Sequence, residues 1–172
     1  SLALSGLAAA VAVGLSLFMA YALRIGGGPI LRGAVRLASL GYAVPGAVLA
    51  VGVMVPFGWL DNTVDAWARD NLGVSTGLVL SGTMFAVLFA YVARFLAVSF
   101  GAIEASLAKV TPHMDQAARS LGASPAATLR RVHLPLIRGS MLTAALLVFV
   151  DAMKELPMTL MLRPFGFQTL AT

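Results

Sequence analysis

Three stretches of this chain, residues 2–23, 37–60 and 72–93, carry no charged side chain at all. As an α-helix the first of them reaches about 33 Å at ~1.5 Å per residue, enough to cross the hydrocarbon of a bilayer. The composition agrees: 59% of the residues are hydrophobic and only 11% are charged, so the expected solvent is lipid. A spanning helix uses about 20 residues, so 172 residues hold only about four or five spans with their connections. The first run is too long for a signal-peptide core and has no basic leader, which makes it a mature span or part of one.

Charge in the connections sets the orientation. Arg24, Arg32 and Arg36 flank the turn at Gly26-Gly27-Gly28-Pro29, and Lys109, Arg119, Arg130, Arg131 and Arg138 follow the third run. Between them Asp61, Asp65 and Asp70 stand against Arg69 alone, beside Trp59 and Trp67 as interfacial aromatics. Basic connections alternating with an acidic one follow the positive-inside rule and put the N-terminus of this segment outside. The net charge of +5 is dispersed through these connections with no single basic stripe, so it points to a membrane and not to nucleic acid. With no cysteine, disulfides, thiolate metal sites and cysteine nucleophiles are excluded. Gly26-Gly27-Gly28 lacks the lysine and hydroxyl residue of a phosphate loop, so ATP chemistry belongs on another chain.

A fourth apolar run, 137–162, is interrupted by Asp151, Lys154, Glu155 and Pro157. Asp151 falls past the middle of the hydrocarbon layer, where charge must face protein or water. Two readings stand: these residues line a translocation pathway, or they form an internal lock between helices. Pro157 should break the helix just beyond them. His113 and His133, without a carboxylate cluster, read as packing or solvent-facing residues, and no metal site is expected.

The polar loop 95–138 contains two short helix signatures. Thr111-Pro112 and Ser124-Pro125 each offer an N-cap with proline at the first helical position, and Asp115 lies in the positive first turn. Met114, Ala117, Ala118 and Leu121 give one narrow apolar face, and Gly122 stands where a left-handed cap closes the first helix. Pro135 is expected to end the second. Such a pair is a compact knob for a groove on another protein, or an amphipathic hairpin lying on the membrane.

The run Asp115-Gln116-Ala117-Ala118-Arg119-Ser120-Leu121-Gly122-Ala123-Ser124, followed by His133-Leu134-Pro135, resembles the EAA loop of binding-protein-dependent importer permeases, with Gln116 where that family usually has glutamate. Gly41-Tyr42-Ala43-Val44-Pro45-Gly46, Tyr91-Val92-Ala93-Arg94-Phe95, Lys154-Glu155-Leu156-Pro157 and Leu162-Arg163-Pro164-Phe165-Gly166-Phe167 are similar to its ferric-iron branch.

The resemblance implies an all-α polytopic transmembrane bundle, similar to spans two to five of one permease half, in a bacterial-type inner membrane. It implies an ATPase docking on Asp115, Gln116, Ala117, Ala118, Gly122, Ala123, Ser124 and Pro125, and a solute pathway near Asp151, Lys154, Glu155 and Pro157. The implied partners are that cytoplasmic ATPase, which carries ATP and magnesium, an extracytoplasmic substrate-binding protein that delivers any iron already chelated, a second permease half or homologous subunit, and lipid. This chain itself would hold no cofactor and catalyse nothing.

A rival from another class is an ion-coupled secondary transporter relaying protons or ions through Asp151 and Glu155. An intramembrane enzyme has no nucleophile–base pairing to support it. Cysteines placed by Arg119→Cys and Arg130→Cys are expected to react with an impermeant reagent only once the cytosolic face is opened; reaction on intact cells would overturn the orientation.

Overall fold

The computed structural model describes residues 2–164. Helix α1 runs Leu2–Gly26, α2 Pro29–Ser39, α3 Gly46–Leu72 and α4 Met84–Ala108. The short α5 (Pro112–Ser120) and α6 (Pro125–Thr128) follow, and a π-helical turn, Leu129–His133, leads into α7 (Leu134–Lys154) and α8 (Pro157–Leu162). Among the described residues four helical stretches are long and apolar enough to cross a membrane: Leu2–Gly26, Gly46–Leu72, Met84–Ala108 and Pro125–Lys154. The fold is an all-helical membrane bundle. Residues 165–167 of the last motif lie outside the described residues.

Helix α4 is the hub, packed against α1, α2, α3, α7 and α8. Lipid tails are as apolar as leucine, so helices here associate through close van der Waals contact and small residues. Helix α1 supplies them at every fourth position: Ala8, Ala12, Ser16 and Ala20 are all buried. Helix α7 answers with Ala144, Val148 and Ala152, and α4 with Ala86 and Ala90. Midway along, the hydroxyls of Ser16 and Ser99 meet at 2.6 Å, a buried bond between α1 and α4. It separates two apolar clusters, one around Tyr91, Phe95 and Met158 and the other around Phe100, Ile103 and Ile137.

Helix boundaries depart from the sequence expectation in three places. The expected connection 25–36 is mostly α2, which lies against α4, so the passage expected over 37–60 is discontinuous. Its chain breaks over residues 40–45, at a short 3₁₀ turn and Pro45, before α3 begins. The acidic connection expected over 61–71 is instead the last three turns of α3.

It stays helical because its carboxylates serve the segment that follows. Asp61, buried, accepts the backbone N–H groups of Val79, Leu80 and Ser81 at 2.7–3.1 Å. One turn on, Asp65 accepts those of Thr76 and Gly77 and pairs with Arg69. Gly73, at φ 66°, ends α3 with a left-handed residue.

Third, α4 covers Met84–Ala108 where a span over 72–93 was expected, residues 73–83 being a non-helical connection, and the helix beginning at Pro125 runs through Pro135, which was expected to stop it. The π turn explains the passage: the Leu134 N–H donates to the Leu129 carbonyl five residues back, so the ladder is already offset where proline cannot donate. The break expected at Pro157 does occur, with α7 ending at Lys154 and Pro157 opening α8.

Replacing Ala12, fully buried on the α1 stripe, by leucine should force α1 from α4 and cost about 1–3 kcal/mol. A clear fall in the melting temperature of the detergent-solubilised protein is the expected result, with Leu7→Ala on the exposed face as a neutral comparison.

Candidate functional site

The connection between α4 and α6 is built as a handle fastened to the end of α1. Arg24, in the last turn of α1, donates from Nε to Asp115 Oδ2 at 2.9 Å, from Nη1 to the Leu107 carbonyl at 2.5 Å and from Nη2 to the Val110 carbonyl at 2.7 Å. One guanidinium therefore caps carbonyls at the C-terminal end of α4 and holds the first helix of the loop. Three residues earlier the Tyr21 hydroxyl donates to the Pro125 carbonyl at 2.6 Å and so holds the second. On its other side the Asp115 carboxylate accepts from His133 Nε2 at 2.7 Å, and the Tyr21 and His133 rings pack edge to face. His133 is thus a buried packing residue in the π turn.

Burial works to raise the pKa of Asp115, but the hydrogen bond and charge of Arg24, reinforced by His133, outweigh it and hold the carboxyl below its ordinary 3.8. Asp115, counted from sequence among the docking residues, points inward and anchors the loop to α1.

The groove side of the loop is mostly apolar, with Arg131 at its border. Leu121 is 87% exposed, and Met114 and Ala117 are exposed beside it, while Ala118 forms the floor. With Gly122 and Ala127 they border an open groove of about 870 Å³. Gly122 has φ 77°, and the N–H groups of Gly122 and Ala123 return to Arg119 and Ala118, closing α5 as expected. Ser124 caps α6 through its side chain, accepting from the Ala127 N–H at 3.3 Å; Thr111 occupies the corresponding place before α5 without a side-chain bond. Gln116 is exposed and meets His113 at 3.3 Å.

The second predicted set lies at the far end of α7. Asp151 is half-buried and Lys154 exposed, and among the described residues they form no ion pair with each other. Glu155 is the last residue held by α7, and its ψ of 97° turns the chain out of the helix after it. Its carboxylate turns to Arg94 in the middle of α4, with Oε2 3.5 Å from Nε. Arg94 Nη1 also donates to the Val44 carbonyl at 3.1 Å, where the passage formed by α2 and α3 is broken.

Arg94 and Arg24 are the anchoring side chains that sequence reading missed. Each is a lone charge inside or at the end of an apolar run, and such a charge demands a partner from elsewhere in the chain.

Interrupted apolar helices thus meet around the largely buried Arg94–Glu155 pair, with a polar two-helix loop at one end of the bundle. The model of the binding-protein-dependent transport system inner membrane component family matches residues 12–172, and the chain belongs to that family. It is a multi-pass inner-membrane chain.

It is similar to PhnV of Salmonella typhimurium, which carries the name of a 2-aminoethylphosphonate transport system permease protein, with 33% identity over 74% of this chain and 42% of that protein. It is also similar to the Fe(3+)-transport system permease protein FbpB 2 of Haemophilus influenzae, with 29% identity over 79% of this chain and 24% of that protein. The matched stretch is less than half the length of either relative.

The depressed pKa of Asp115 gives the anchor a pH dependence. Such a carboxylate stabilises the fold above its unfolded pKa, near 3.9, and the contribution is lost as pH falls through the lower folded value. Protection of α5 amides against hydrogen exchange should hold from neutral pH down to about 4 and fall below it. Asp115→Asn should lower it at neutral pH by about 1–3 kcal/mol.

Proposed function

We propose that the chain forms part of the permease of an ATP-driven importer, in which a cytoplasmic ATPase seats on the groove between α5 and the helix beginning at Pro125. One observation carries the reading: Tyr21 and Arg24 hold both short helices to α1 while the small apolar face, with Leu121 at its rim, is left open. A loop held in this way transmits force, because pulling it pulls α1 and, through the π turn, α7. ATP binding that closes the ATPase pair would favour one arrangement of the bundle over another, which is all that alternating access requires energetically.

The partners in this reading are the ATPase, bearing ATP and magnesium, an extracytoplasmic substrate-binding protein and a second permease half. The N-terminus of the segment lies outside. The ATPase contacts are made by Gln116, Ala117, Ala118, Gly122, Ala123, Ser124 and Pro125, with Asp115 positioning them from behind.

Two solutes are supported. The motif resemblance and the relative named for Fe(3+) favour ferric iron, and the relative named for 2-aminoethylphosphonate favours a phosphonate. Asp151, Lys154, Glu155 and Pro157 border the pathway. The rival ion-coupled mechanism through Asp151 and Glu155 predicts uptake along an imposed ion gradient in vesicles without ATPase, and none is expected.

Leu121→Asp puts a carboxylate on a side chain that supports nothing within the chain, so insertion should be unaffected while ATPase co-purification is lost. Any side chain at Gly122 is strained by about 1–2 kcal/mol at positive φ, so Gly122→Trp should reduce ATP-driven uptake about tenfold or more. Full co-purification and uptake in both variants would remove the loop from the mechanism.

A further inference from the structure

Arg94 has binding capacity that its surroundings do not use. A guanidinium carries five N–H donors. One serves the Val44 carbonyl, but among the described residues Nε is buried without a hydrogen-bond partner, since Glu155 Oε2 at 3.5 Å is beyond hydrogen-bonding distance for it. A well-formed arginine–carboxylate pair closes to about 2.7–2.9 Å.

The Glu155 side chain, only 10% exposed, also lies directly against Gly46, the first residue of the 27-residue helix α3. A Cβ on Gly46 would collide with its carboxylate and come within 2.7 Å of Arg94 Nη1. The first N–H groups of a helix have no partner inside it and carry its positive end. Guanidinium and helix start thus flank one small space, and what fills it is a carboxylate on a two-residue hinge, Glu155 and Leu156, between α7 and α8.

We propose that Arg94 and the start of α3 form an anion site on the solute path, that Glu155 occupies it as a removable internal placeholder, and that the cargo bears an oxyanion group, phosphonate or carboxylate, which takes its place. This rests on the importer reading above. Arg94 lies ten residues into α4, about 15 Å along a spanning helix, where an unpaired charge is costly. Exchanging one anion for another keeps the guanidinium neutralised throughout, whereas simply removing Glu155 would leave it uncompensated. A bare metal cation meets a like charge there. The hinge supplies the displacement: α7 begins at the π turn beside the loop and ends at Glu155, so motion of the loop reaches the placeholder directly.

The test uses the full-length permease with its ATPase in lipid nanodiscs, by equilibrium dialysis against labelled methylphosphonate and, in a second arm, acetate. If Glu155 fills the site nine-tenths of the time, Glu155→Gln should bind one or both anions about tenfold more tightly than the unaltered protein. The added Arg94→Gln should abolish that gain, and the arm that gains more names the oxyanion. An unchanged affinity in Glu155→Gln, or a gain that survives Arg94→Gln, overturns the proposal.

ATPase co-purification is measured on the same preparations. An anion affinity unchanged by Glu155→Gln with the ATPase still attached refutes this site alone, while an unaltered permease that never holds the ATPase refutes the importer reading.

Discussion

In hydrocarbon there is no water to relieve an unpaired N–H or carbonyl, so each place where a helix stops must be answered from within the protein. This chain answers with charged side chains. Arg24 takes the carbonyls of Leu107 and Val110 where α4 ends, Asp61 takes the N–H groups of Val79, Leu80 and Ser81 before α4 begins, and Arg94 takes the Val44 carbonyl where the passage of α2 and α3 is interrupted. All three are held by long-range contacts, and α4 is common to them. The alanine and serine stripe of α1 lets the helices come close enough for such short side-chain reaches.

The loop groove and the Glu155 hinge sit at opposite ends of one rod. Residues 125–154 form a nearly continuous helix, with the groove, His133 and the π turn at its start and Glu155 just beyond its end. A π turn at a functional junction is a common place for a helix to carry an irregularity. Here it is clamped by Asp115 and packed by Tyr21, so disturbance of the loop is felt by α1 and α7 together.

Local signals were readable from sequence because their physics is local. The positive φ at Gly122, the cap at Ser124, the proline start of α6 and the break before Pro157 each depend on a few neighbouring residues. The apolar runs were readable as helices, but their ends were not. Asp61 and Asp65 resemble loop residues until the loop that they clasp is seen folding back on them. Pro135 reads as a terminator until the turn before it is found to be π-helical. The inward aim of Asp115 and the pairing of Arg94 with Glu155 join residues 91 and 61 positions apart, which no periodicity encodes.

The hinge after α7 is itself tied down. The Thr159 hydroxyl bonds the Glu155 carbonyl, and it meets the buried Tyr91 hydroxyl of α4 at 2.5 Å. Gly46 closes one side of the carboxylate. A Glu155 that left together with the backbone bearing it would move on the microsecond-to-millisecond scale of collective helix shifts and not on the picosecond-to-nanosecond scale of side-chain flips. That slowness would set a tempo for the whole chain.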